Sequence, residues 1–149
     1  MVVTRISAKI DNKKIVYPFN LQSWVDDPAL QRMASEIKVN SDFPKNNVLS
    51  SPGPYPQHSK IRIGYFSPDF NDHPVAQMIE GVFRHHDRSK FEIFAYSFGQ
   101  KNDNEMHQKI KSTVDIFRDV KSINAKEIAR LARTDRLDIA IDLAGYTRN

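Results

Sequence analysis

No cysteine occurs in the 149 residues. A disulfide framework and a thiolate metal site are therefore excluded, and a reducing compartment fits. No apolar run approaches the ~18 residues of a membrane span. The opening MVVTRISAKIDNKK lacks the apolar stretch of a secretory leader. We therefore expect a soluble, cytoplasmic chain with no membrane partner. Neither sign of charge dominates: 22 Lys and Arg are interspersed with 18 Asp and Glu, for a net charge of +4. That pattern describes a solvated surface and no nucleic-acid partner. Glycine is scarce, and Gly53, Gly64, Gly81, Gly99 and Gly145 stand apart from one another. A dinucleotide or P-loop site needs grouped glycines so that backbone can approach phosphate. NAD, FAD and P-loop chemistry are thus excluded, and no resident cofactor is expected. His85 and His86 are adjacent and point to different helix faces, so they make poor ligands for one metal.

What is present falls into two parts. Residues 1–59 read as an irregular extension with one helix at about 28–38 and a Pro/Ser-rich linker, NSDFPKNNVLSSPGPYPQHSK. In that helix Asp27 caps, Pro28 takes the first position, and Leu30, Met33, Ala34 and Ile37 share a face. Trp24 and Phe19 are expected to pin the segment to the domain; an exposed partner surface is the alternative. From Lys60 the pattern becomes regular. IRIGYF (61–66), FEIFAYSF (91–98), VDIFRDV (114–120) and LDIAIDLAGY (137–146) read as strands. The second has few charges, as a strand buried on both faces would. Between them lie three helices. The first carries Val75, Met78, Ile79, Val82 and Phe83 as its core stripe; the last has the capping box Asn124 and Glu127. The order β-α-β-α-β-α-β predicts an α/β fold: a parallel four-strand sheet, half of a Rossmann-like doubly wound domain.

Such sheets bind ligands beyond the carboxyl ends of their strands. The corner there is SPDFNDHP, which offers side chains in place of glycines: Asp69, Asn71, Asp72 and His73. Pro74 suits the first helical position and puts His73 at or beside the N-cap. An imidazole at a cleft mouth can accept a proton or hydrogen-bond a sugar hydroxyl or phosphate oxygen. The plainer alternative is that Asn71 or Asp72 caps the helix and His73 is a surface residue. Asp142, near the end of the last strand, is a further site candidate, while Asp138 reads as structural. His58 and His107 read as isolated surface residues, and the His85-His86 pair as a basic last turn suiting the helix dipole.

RIGYFSPDFNDHPVAQMIEGVFRHHDRSKFEIFAYSFG resembles the start of the catalytic region of O-linked N-acetylglucosamine transferases, in the bacterial branch that also resembles plant SPINDLY. LDIAIDLAGYT resembles a second segment of that family, and PFNLQSWVDDPALQRMAS resembles the linker helix before the catalytic region. The resemblance runs from about Tyr17 to the end and is weaker over 99–136. It implies the N-terminal lobe of a GT-B glycosyltransferase, the lobe on the acceptor side of a cleft. It implies GlcNAc transfer from UDP-GlcNAc to Ser or Thr of a protein acceptor, without a required metal. SPINDLY-type members use GDP-fucose instead. The family's histidine falls on His73, as a base or a cleft contact, and Gly145, Tyr146 and Thr147 fall on a loop bordering the cleft. The resemblance also implies parts not found here: a C-terminal lobe that binds most of the nucleotide sugar, and preceding tetratricopeptide repeats. On that basis the chain is expected to be a fragment, inactive alone. A non-catalytic interaction module built on half a GT-B domain stays open. A phosphorylated receiver, with Asp119 after the third strand, is disfavoured because no acidic pair follows the first strand at once.

Overall fold

The computed structural model describes residues 8, 10, 12, 14–45, 49–50, 53–54, 57–100 and 104–145. The chain divides into two compact units, one within residues 1–49 and one over Ser50–Gly145.

The first unit has a small core of its own. Helix α1 (Pro18–Gln22) and helix α2 (Pro28–Asp42) bury Ile10, Val16, Leu21, Val25 and Ala34, with Leu30 and Ile37 against them. Asp27 caps α2 as its sequence predicts, accepting the amides of Ala29 and Leu30 at 3.0 and 3.1 Å. The helix runs past residue 38 to Asp42. Two pairs at i,i+4 spacing, Arg32–Glu36 and Lys38–Asp42, help carry it there. Helix α1 is an element the composition did not signal: five residues are too few for periodicity to show. Trp24 and Phe19 are both exposed side chains of this unit. Part of the Pro/Ser-rich stretch lies outside the described residues.

The second unit is the predicted α/β sheet. Strands β1 (Ile61–Ser67), β2 (Phe91–Ser97), β3 (Ile116–Asp119) and β4 (Ile139–Asp142) are all parallel, in the order β3-β2-β1-β4. Helices α3 (Pro74–His85), α4 (Glu105–Thr113) and α5 (Ala125–Thr134) form the crossovers. On one face Ile63, Tyr65, Ile93 and Ala95 pack with Ala76 and Phe83 of α3 and Ile110 of α4. On the other face Phe94 and Tyr96 pack with Leu137 and with Ile128 and Leu131 of α5. The alternation of Ile93, Ala95 against Phe94, Tyr96 is the strand period of two, with both faces covered.

Three expectations are corrected. The last strand is four residues long, because Leu137 serves the turn after α5 and Leu143 already leaves the sheet. Only part of the α3 stripe is core: Met78 is 72% exposed and Val82 is exposed too. The core-facing positions are Ala76, Ile79 and Phe83; Met78 and Val82 lie on the flank away from Glu80, the residue that reaches Lys109 of α4. Finally, neither His107 nor His58 is a free surface residue. His107 is buried, and the His58 ring is largely covered, 3.5 Å from Asp138. Asp138 also accepts the Arg62 amide at 2.8 Å, the structural role its position suggests.

Candidate functional site

The carboxyl ends of β1 and β4 are adjacent, since Phe66 pairs with Asp142 and the Leu143 amide donates to the Phe66 carbonyl. The loop after β1 and the turn after β4 therefore share one edge of the sheet. This brings Asp69, Asn71, Asp72 and His73 to the same end as Gly145. Tyr146 and Thr147 lie outside the described residues.

Hydrogen bonds within the first loop fix its shape. The buried Ser67 hydroxyl accepts the Asp69 amide at 3.0 Å. Asn71 donates from Nδ2 to the Pro68 carbonyl at 3.4 Å, and its own carbonyl accepts the His73 amide at 2.8 Å. Asp72 accepts from the Gln77 side chain at 3.4 Å. His73 is the N-cap of α3: its backbone is extended, and its Nδ1 accepts the Val75 amide at 3.2 Å. The capper is therefore the histidine and neither Asn71 nor Asp72. The ring is 44% exposed, and Asp69 Oδ2 lies 4.0 Å from Nδ1.

That cap constrains the chemistry. A backbone N–H can only donate, so Nδ1 presents its lone pair to Val75. A neutral ring in this geometry carries its proton on Nε2 and offers a donor outward. The turn after β4 is held by Asp142, whose two oxygens accept the amides of Ala144 and Gly145 at 2.9 and 3.1 Å. Gly145 has φ +51°, the left-handed conformation that glycine adopts without penalty. Asp142 thus shapes the turn that begins the GYT segment. A cavity of about 300 Å³ opens beside the first loop, lined by Asp72, Asn104, Glu105, Met106 and Lys109. Among the described residues no three metal-ligating side chains converge.

Two residues matter here that sequence reasoning passed over. Gly99, just past β2, lies so close to Pro68 that a Cβ would overlap its backbone. Its position immediately after a buried strand was the available signal. His107 donates from Nδ1 to the Phe70 carbonyl at 2.8 Å. Its spacing of three from Ile110 puts it on the inner face of α4, and that periodicity could have found it.

A family model, Glycosyl transferase family 41, matches residues 3–149. The chain is 36% identical over 89 residues to a probable UDP-N-acetylglucosamine–peptide N-acetylglucosaminyltransferase, SEC, of Arabidopsis thaliana, covering 60% of this chain and 9% of that protein. It is 37% identical over 92 residues to the SPINDLY protein of the same plant, which carries the same transferase name, covering 60% of this chain and 10% of that one. A solved structure of a mutant Thermobaculum terrenum O-GlcNAc transferase superposes with a TM-score of 0.64 at 25% identity, covering 83% of this chain and 24% of that one. The chain thus spans about a tenth of the length of these curated relatives.

Proposed function

The chain belongs to glycosyl transferase family 41, and from that premise we propose that it forms the acceptor-side lobe of a protein O-glycosyltransferase. The reaction is GlcNAc transfer from UDP-GlcNAc to a Ser or Thr hydroxyl. The observation that carries the reading is the family match over residues 3–149. The relatives' names, which specify UDP-N-acetylglucosamine and a peptide acceptor, supply the substrates. On this reading a second lobe holds most of the nucleotide, and the loop carrying Asp69, Asn71, Asp72 and His73 faces sugar and acceptor, together with Gly145, Tyr146 and Thr147. The cavity beside Asp72 has room for a side chain of the acceptor peptide. A cytoplasmic setting goes with this function.

In the transfer the acceptor oxygen bonds to the anomeric carbon as the bond from that carbon to the diphosphate breaks. The acceptor's proton passes to solvent, and the diphosphate leaves carrying the negative charge. His73 can serve this step in one of two ways. Because Nδ1 already accepts from Val75, we assign the ring as a donor through Nε2, to a sugar hydroxyl or a phosphate oxygen. Acting as the base would require protonating Nε2, and the neutral ring that caps α3 already has its proton there. The helix N-terminus behind the ring adds positive potential toward developing negative charge.

The test compares His73→Ala and His73→Asn in the native protein that carries this sequence, assayed with UDP-GlcNAc and, in parallel, GDP-fucose. Asn keeps a capping oxygen and loses the Nε2 donor. Both variants should lose transfer by about 10²-fold, the scale of one lost charge-stabilising donor. Wild-type activity in both would defeat the His73 assignment. Failure of the native protein to transfer from UDP-GlcNAc would defeat the donor assignment.

A further inference from the structure

We propose that His107 is a positioning residue for the corner that carries His73, a role that deepens the site reading above and rests on it. The buried ring of α4 reaches across to the loop after β1, where Nδ1 lies 2.8 Å from the Phe70 carbonyl. A carbonyl only accepts, so Nδ1 carries the proton. The residue is fixed at two points: its backbone amide donates to Asn104, the N-cap of α4, at 2.9 Å, and its ring packs edge-to-face with Phe117 of β3, centroids 5.1 Å apart at 77°. An apolar side chain would fill this place equally well but would leave the buried loop carbonyl without its donor.

What His107 holds is the one apolar residue of SPDFNDHP besides its prolines. The Phe70 ring is itself buried between Phe83 of α3 and Phe117 of β3, at centroid distances of 6.0 and 6.3 Å. Phe70 is thus fixed at its ring by packing and at its carbonyl by His107. The next residues follow directly: Asn71 accepts the His73 amide, and the His73 ring accepts the Val75 amide. The orientation of the His73 ring is therefore set at one end by α3 and at the other by a tether to α4. His107 touches no reacting group; it acts through the loop.

The test needs no transfer activity, so its failure and the failure of the proposed reaction can be told apart. Amide exchange and the ring nitrogens of His73 are followed by NMR in the 149-residue chain, in His107→Phe and in His107→Asn. Phe keeps the volume and removes the donor; Asn places an N–H close to where Nδ1 stood. Exchange at the Val75 amide should speed by about tenfold in His107→Phe, as expected for a local opening, while Ala95 in the sheet stays protected. The His73 ring signals should shift with it, and Asn should restore both. Unchanged Val75 exchange and His73 signals in a folded His107→Phe would overturn the proposal, as would Asn failing to restore them. If the Phe variant does not fold, the wild-type ring decides. A proton on Nδ1, scalar-coupled to the Phe70 carbonyl, supports the tether, and a proton confined to Nε2 overturns it.

Discussion

Gly99 stands directly against Pro68: a Cβ added to the glycine would run into the carbonyl of the proline. The contact joins the end of β2 to the start of the loop that carries His73, next to the hydrogen bond from the Phe98 amide to the Ser67 carbonyl. Backbone on one side and a rigid proline on the other leave little room to yield. Gly99→Ala should therefore displace the loop and cost about 2 kcal/mol, as overpacking does. Chemical denaturation measures the loss. The Val75 amide, which reports on the His73 cap, should exchange faster in the same variant. Wild-type stability would show that the loop moves aside freely.

The Tyr96 hydroxyl donates to Asp135 at 2.6 Å, and Arg118 grips the same carboxylate with Nη2 at 2.6 Å and Nε at 3.2 Å. Burial, followed by the hydrogen bond to Asp135, pushes the Tyr96 phenol far up. Tyr96 and Asp135 are both buried, so neither can replace the other with water. Asp135→Asn should cost about 2 kcal/mol, below the usual cost of breaking a buried pair, since Arg118 is partly exposed. Tyr96→Phe should cost about 1.5 kcal/mol, the value of a hydrogen bond to a charged acceptor. The double variant should lose less than the sum, because the two changes share one carboxylate. Strict additivity in a double-mutant cycle would argue against a shared network.

Much of this was legible in the order of residues, and the reasons are local. FEIFAYSF reads as a strand buried on both faces, and every residue from Ile93 to Ser97 is buried. Asp27, His73-Pro74 and Asn124 mark helix starts, and each side chain caps as its type dictates: Asn124, for one, accepts the Glu127 amide at 3.1 Å. What stayed hidden depends on partners distant in sequence. His107 looks isolated until Phe70, 37 residues away, supplies its acceptor. Met78 and Val82 have the right spacing for a core stripe, but spacing fixes a face and cannot say how wide a strip the neighbours cover. Asp142 looked like a site carboxylate because it stands near a strand end; its actual partners, the amides of Ala144 and Gly145, belong to a tight turn.

Arg136 is the one described residue other than glycine with positive φ, at 53°. It follows α5, where the Leu137 amide reaches back to the Ala132 carbonyl and the Arg136 amide to Arg133. This is the left-handed exit of a helix, which glycine adopts at least cost. Arg136→Gly should raise stability by about 1 kcal/mol, the order of the strain an L side chain carries there. A rise in the denaturation midpoint with unchanged slope would confirm it. A loss would mean that the Arg136 side chain contributes more than its backbone costs.

The Tyr65 hydroxyl and His86 Nε2 lie 2.8 Å apart at the end of α3, with the His86 ring also against Phe91. Burial, and next the Arg88 cation, hold the His86 pKa below the ordinary 6.5, with Asp115 opposing. The folded protein therefore takes up this proton less readily than the unfolded chain. The resulting stability is fully present above about 6.5 and drains away as pH falls through the depressed folded value. Burial raises the Tyr65 phenol above 10.0, with Arg88 opposing, so its contribution is whole below that value and fades as pH climbs through the raised one. Melting temperatures of wild type and His86→Gln across pH 5 to 8 separate this pair from the other titrating groups. Gln still offers an oxygen to Tyr65 but cannot gain a proton. The wild type should lose more stability than the variant between pH 7 and 5, and the two curves should run parallel above 7. Parallel curves over the whole range would mean that His86 takes up its proton equally well in the folded and the unfolded chain.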